Sequence, residues 1–184
     1  MKAFGKAAFL SGMPRGSTLL ELLMALSMLA VVLAVLLGFS ESGALWWKRL
    51  EREMEVRDNL RISLDLIGRE LAGAGGIAGL AGDSLYFYDH AGSRFRYYVD
   101  YDPRLKLYAL RRYAEGSGSS VPVGLHLKPQ GLKVEYYDGD LQIPAGQYGT
   151  YDPARVTLVK ISLTGNSGGL EDITYTTAVK LRGR

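Results

Sequence analysis

From Leu22 to Phe39 the chain runs for 18 residues with one clearly polar side chain, Ser27. Such a run has few ways to fold. As a helix it measures about 27 Å at 1.5 Å per residue. That is close to the roughly 30 Å hydrocarbon core of a bilayer, so a transmembrane helix is predicted. Trp46 and Trp47 follow, then Lys48 and Arg49; aromatic rings succeeded by cations suit a membrane–water boundary. Glu21, at the lip of the run, is the exception. A carboxylate costs about 2.5–3.5 kcal/mol at the centre of a membrane helix and less near an interface. Either Glu21 marks the interface and the span starts at Leu22, or it has a charged partner. The residues alone leave both readings open.

Basic residues do not orient the span. Lys2, Lys6 and Arg15 precede it, and Lys48, Arg49, Arg52 and Arg57 rival them on the far side. The leader also accounts for the formal charge of +3: without residues 1–16 the chain has 19 basic and 19 acidic residues. A DNA contact therefore has to rest on a local patch. There is no cysteine, so neither a disulfide framework nor a thiolate metal site exists. A cleavable secretory signal is the competing reading, with Ser42-Gly43-Ala44 as small residues before a cut. The apolar run is longer than the 7–15 residues usual for that signal, and Glu21 interrupts its start.

Beyond the span, Leu50, Met54, Leu60, Leu64, Ile67 and Leu71 recur at near-helical spacing with a gap around Arg57. Glu53 with Arg57 and Asp65 with Arg69 are i,i+4 pairs in the favoured order. No proline lies between Pro14 and Pro103. The helix is predicted to end at Gly73-Ala74-Gly75-Gly76 through a left-handed cap. If Ser40 to Gly43 stays helical, residues 18–72 form one helix of about 82 Å; otherwise two helices meet there.

After Gly82 the apolar period shifts towards two. Strands are predicted over Ser84–Tyr88, Arg94–Asp100, Lys106–Arg112, Leu132–Tyr137, Val156–Leu163 and Ile173–Leu181. Turn signals part them at Asp102-Pro103, Glu115 to Gly118, Asp138-Gly139, Asp152-Pro153 and Gly165 to Gly169. One long helix followed by consecutive strands implies an α+β fold in which the amphipathic half of the helix covers a mostly antiparallel sheet.

Catalytic chemistry finds little support. His90 and His126 are the only histidines, and no glycine-x-serine-x-glycine elbow or thiol supplies a nucleophile. No enzymatic activity, cofactor or resident metal is expected. Asp100, Asp102, Asp138, Asp140 and Asp152 lie near turns and offer hard oxygens for Ca²⁺, but no ordered ligand loop is visible, and Asp-Pro and Asp-Gly pairs serve turns equally well. The credible nucleic-acid patch is Arg94, Arg96, Arg104, Lys106, Arg111 and Arg112, six cations within 19 residues interleaved with Tyr97, Tyr98, Tyr101 and Tyr108, with Arg94, Arg96, Arg111 and Arg112 as the candidate DNA contacts. Its bland counterpart is a strand face whose arginines keep a sheet soluble and block edge pairing.

The segment Arg15-Gly16-Ser17-Thr18-Leu19-Leu20-Glu21-Leu22-Leu23-Met24-Ala25-Leu26 resembles the class III signal of type IV prepilins and type II secretion pseudopilins. The resemblance implies that a prepilin peptidase cuts between Gly16 and Ser17 on the cytoplasmic face and methylates the new amino terminus at Ser17. It also implies an orientation, with the leader in the cytoplasm and the body outside. Glu21 matches the family's glutamate, whose partner would be the new α-ammonium of its own chain or of the next subunit. Where the family commonly has phenylalanine after the cut, this chain has Ser17; where many major pilins have a late proline, it has Gly38.

Later segments narrow the resemblance. Asp65 to Gly75, Tyr97-Tyr98-Val99 with Leu107 to Arg112, Leu132 to Tyr137 and Val179 to Arg182 are similar to PilW-type minor pilins and J-type pseudopilins. The expected organisation is a cleaved leader (1–16), a transmembrane and filament-core helix (17–44), its amphipathic continuation (45–76) and a β-sheet body (77–184). The function implied is that of a minor pilin in the tip or initiation complex of a type IV pilus. Its partners would be the prepilin peptidase, other minor pilins and the major pilin, the inner-membrane assembly platform and membrane lipid. The location implied is the bacterial inner membrane as a single-pass protein, with a cytoplasmic amino terminus and a periplasmic body, and then a cell-surface pilus or a periplasmic pseudopilus. Alternatives are a J-type pseudopilin of type II secretion, a DNA-receptor tip subunit for natural transformation, and a signal-anchored periplasmic enzyme.

Overall fold

The computed structural model describes residues 18–166 and 171–181. One helix, α1 (Leu19–Ala72), is followed by β1 (Gly76–Gly79), β2 (Ser84–Tyr88), β3 (Arg94–Asp102), β4 (Leu107–Ala114), β5 (Ser120–Asp138), β6 (Leu141–Gln142), β7 (Leu158–Asn166) and β8 (Asp172–Lys180). Two compact units divide between Trp46 and Trp47. In the first, every described residue is exposed, and α1 is long and apolar enough to cross a membrane by length and composition. Ser27 Oγ donates to Met24 O at 2.8 Å, so the run's one hydroxyl is satisfied within the helix. Ser40 to Gly43 is helical, which removes the hinge alternative.

In the second unit, α1 lies on an antiparallel sheet of order β1-β2-β3-β4-β5-β7-β8, with β6 hairpinned onto β5. The α+β expectation holds. The buried stripe of α1 is Val56, Leu60, Ser63, Leu64, Ile67 and Leu71. Leu50 and Met54 were expected in it and are instead 39% and 48% exposed. At about 100° per residue they sit roughly 80° and 120° around the helix from Leu60, and Val56 fills the apparent gap. Burying each such side chain is worth about 1.5–3 kcal/mol. Opposite them are Leu85, Tyr97, Leu110, Tyr136, Ile161 and Leu163, all fully buried. Arg57 pairs with Glu53 at 2.6 Å; Asp65–Arg69 is not among the ion pairs of the described residues.

The helix approaches the sheet closely at two glycines. A Cβ on Gly124 would fall 2.2 Å from Ser63 Oγ, and one on Gly165 would fall 2.7 Å from Val56 Cγ1. The glycines after α1 act differently from the expected left-handed cap. Gly73 N–H still bonds Arg69 O at 3.2 Å, and the first positive φ is that of Gly76. Gly75 is needed for proximity, because a Cβ there would lie 2.8 Å from Asp89 O.

Candidate functional site

Gly16 and Ser17 lie outside the described residues, so the structure takes up the amino-terminal site at Thr18. Thr18 caps α1. Its carbonyl accepts from Leu22 N–H at 3.1 Å and its Oγ1 from Glu21 N–H at 3.3 Å. Glu21 is therefore the third helical residue, and Thr18-Leu19-Leu20-Glu21 has the spacing of a capping box. Thr18 is a residue that the sequence reasoning missed, although a threonine three before a glutamate ahead of an apolar run is its signature. Only the threonine half of the box is formed, since no described donor reaches the Glu21 carboxylate. An acid in the first helical turn is also favoured by the helix dipole. Glu21 thus has a local reason to be acidic and a carboxylate still able to accept a cation.

The four arginines offered as DNA contacts divide between two faces of the sheet. β3 and β4 pair Tyr97 with Arg112 and Tyr98 with Arg111, and side chains alternate faces along a strand. Arg112 faces α1. There its Nε donates to the Glu70 carboxylate at 3.0 Å, which also accepts from Tyr97 Oη at 3.0 Å. Its guanidinium lies 4.2 Å from the centre of the Phe95 ring. Burial, reinforced by the Glu70 charge, raises the Tyr97 phenol above its usual range.

Arg94, Arg96 and Arg111 occupy the other face. There the register sets Tyr86 beside Arg96 and Tyr88 beside Arg94, with Tyr113 on the far side of Arg96. Tyrosine and arginine alternate across the strands, as in the row Tyr86, Arg96 and Tyr113. Arg96 lies 5.2 Å from the Tyr86 ring centre and 4.5 Å from that of Tyr98, and Arg94 lies 5.3 Å from Tyr86. Arg111 Nη2 donates to Asp102 Oδ2 at 2.7 Å and its Nη1 to Ser120 Oγ at 2.9 Å. Arg94 has Glu115 at 3.9 Å. Arg96 donates to Ser84 Oγ at 3.2 Å and has no carboxylate within ion-pair distance among the described residues.

Of the five aspartates offered for Ca²⁺, Asp102, Asp138 and Asp152 serve local tasks. Asp102 accepts from Arg104 N–H and Leu105 N–H besides Arg111. Burial works to raise its pKa, but those donors and the arginine charge lower it on balance. Asp138 accepts from Tyr151 Oη and pairs with Arg155, and Asp152 caps the 3-10 helix Pro153–Arg155. Among the described residues no group of three metal-ligating side chains gathers. His126 lies 3.6 Å from Glu55, and His90 sits in the turn after β2. No family model, curated protein or solved structure matches this chain.

Proposed function

We propose that the protein is a minor pilin of the PilW type, made as a membrane-inserted precursor, cut after Gly16 and assembled into the tip or initiation complex of a type IV filament. The observation that carries the reading is the start of α1. A basic leader and Gly16 precede a threonine-capped helix whose third residue, Glu21, holds a carboxylate without a described partner, and an apolar run of membrane length follows. The uninterrupted helix and the antiparallel sheet that it covers agree with this reading.

In this account the peptidase creates an α-ammonium at Ser17, four residues before Glu21 in the chain. The pair that sets axial register forms between Glu21 and the next subunit's ammonium, in hydrocarbon, where an unpaired charge is costly. The leader is cytoplasmic and the body periplasmic, then exposed at the cell surface. Other minor pilins, the major pilin and the inner-membrane platform are its partners.

Glu21→Ala tests the register role. Leader removal should proceed as in the wild type, while the protein disappears from the sheared filament fraction. Normal recovery of the variant in intact, functional filaments would refute it.

A further inference from the structure

We infer that the outer face of β2, β3 and β4 is a docking surface for another protein subunit, which places a carboxylate side chain against Arg96. The inference rests on the subunit reading above and names the surface through which the body meets a neighbour.

The argument begins with unspent donors. A guanidinium has five N–H donors, and the one described hydrogen bond from Arg96 goes to Ser84 Oγ. The Nε atoms of Arg94, Arg96 and Arg111 are each buried with no acceptor, and all three belong to this face. Tyrosine ring faces hold the guanidiniums of Arg94 and Arg96. Contact with a ring face compensates an N–H only weakly; the buried Nε atoms are closed to a partner, and the donors left over for one are those on the Nη atoms of Arg96. Beside Arg96 is a hollow of about 180 Å³, bounded by Tyr86, Arg94, Tyr113 and Glu115.

Charge decides the class of occupant. Of the three arginines on this face, Arg111 is neutralised by Asp102 and Arg94 stands near Glu115, which leaves Arg96 as the one without a carboxylate partner among the described residues. Binding to a nucleic-acid backbone draws on several cations. One carboxylate is what a single guanidinium takes in its bidentate fork. Tyrosine and arginine are also the residues enriched where protein interfaces concentrate their binding energy.

The test uses the full chain in cells that produce it, with photoreactive benzoylphenylalanine in place of Tyr113, and mass spectrometry to locate the cross-linked peptide. The expected product joins this chain to another envelope protein next to an Asp or Glu. Its yield should fall about tenfold in Arg96→Gln, the size of one lost charged hydrogen bond. In Arg96→Glu it should return when the partner's acid is changed to Lys. Arg96→Lys, which keeps charge but not the planar fork, should lose part of the yield and serves if Arg96→Gln does not fold. A yield indifferent to Arg96, or no cross-link from a chain that starts at Ser17, would overturn the proposal. So would Arg96-dependent binding of a ten-nucleotide oligothymidine by the detergent-extracted chain, which would assign the face to nucleic acid. A chain that does not start at Ser17 but gives an Arg96-dependent link to a partner carboxylate would sink the pilin reading and leave this surface standing.

Discussion

Glu70 shows how one side chain ties helix to sheet. Its carboxylate accepts from Tyr97 Oη on β3 and Arg112 Nε on β4, each at 3.0 Å. Glu70→Ala leaves a fully buried phenol and a part-buried guanidinium without their acceptor, and should destabilise the body by about 2 kcal/mol. Glu70→Gln keeps an acceptor for Tyr97 and should cost about 1 kcal/mol. Urea unfolding of a fragment starting at Trp47 measures both, and equal losses would contradict this account. The buried phenols also set a pH dependence. Burial raises the pKa of both Tyr97 and Tyr136. A group whose pKa is raised by folding adds stability below its unfolded value, about 10 for tyrosine, and loses it as pH rises through the folded one. The urea midpoint should therefore drop steeply above about pH 10. Tyr136→Phe, though less stable at neutral pH, should show a shallower drop. An unchanged slope would assign the alkaline loss to other groups.

Among the elements, β2 spans the range read from its alternation, β3, β4 and β8 each lie within two residues of theirs, and β7 starts two residues later and ends three residues later than expected. What escaped has local causes. β1 is a four-residue strand, Gly-Ile-Ala-Gly, too short to show a period. The first half of β5 carries Pro122 and Pro129, which argue against a strand, and positive φ at His126 and Gln130 breaks its alternation. The residues of the candidate site and of the helix–sheet contact divide in the same way. Glu21 stands out because its charge conflicts with its surroundings, whereas Glu70 is one acid among several on an amphipathic helix. The split of Arg111 from Arg112 could be foreseen from strand alternation alone; Glu70 as the partner of Arg112 could not, because it depends on how α1 crosses the sheet. That crossing gives a prediction for the helix–sheet contact. Gly124→Ala sets a methyl against Ser63 Oγ and should cost about 1–3 kcal/mol through overpacking. Adding Ser63→Gly should recover most of the loss. Strict additivity of the two in a double-mutant cycle would mean that this contact is not what holds the helix in place.

For the whole molecule, the account joins a membrane-length apolar helix to a body with its own core. The whole formal net charge lies in 16 residues ahead of them: with Lys2, Lys6 and Arg15 removed, the chain is formally neutral. A leader that is cut away leaves a protein whose contacts depend on local features, on Glu21 at one end and the tyrosine–arginine face on the body. On the proposed reading, an uncut leader would keep the amino terminus away from Glu21 and leave its carboxylate without the cation proposed to set register. The position of the mature amino terminus therefore tests the central claim directly. Intact-mass and amino-terminal peptide mass spectrometry of the protein extracted from membranes should find a chain beginning at Ser17. A chain beginning at Met1, or at Leu45 after removal of the whole span, would contradict it.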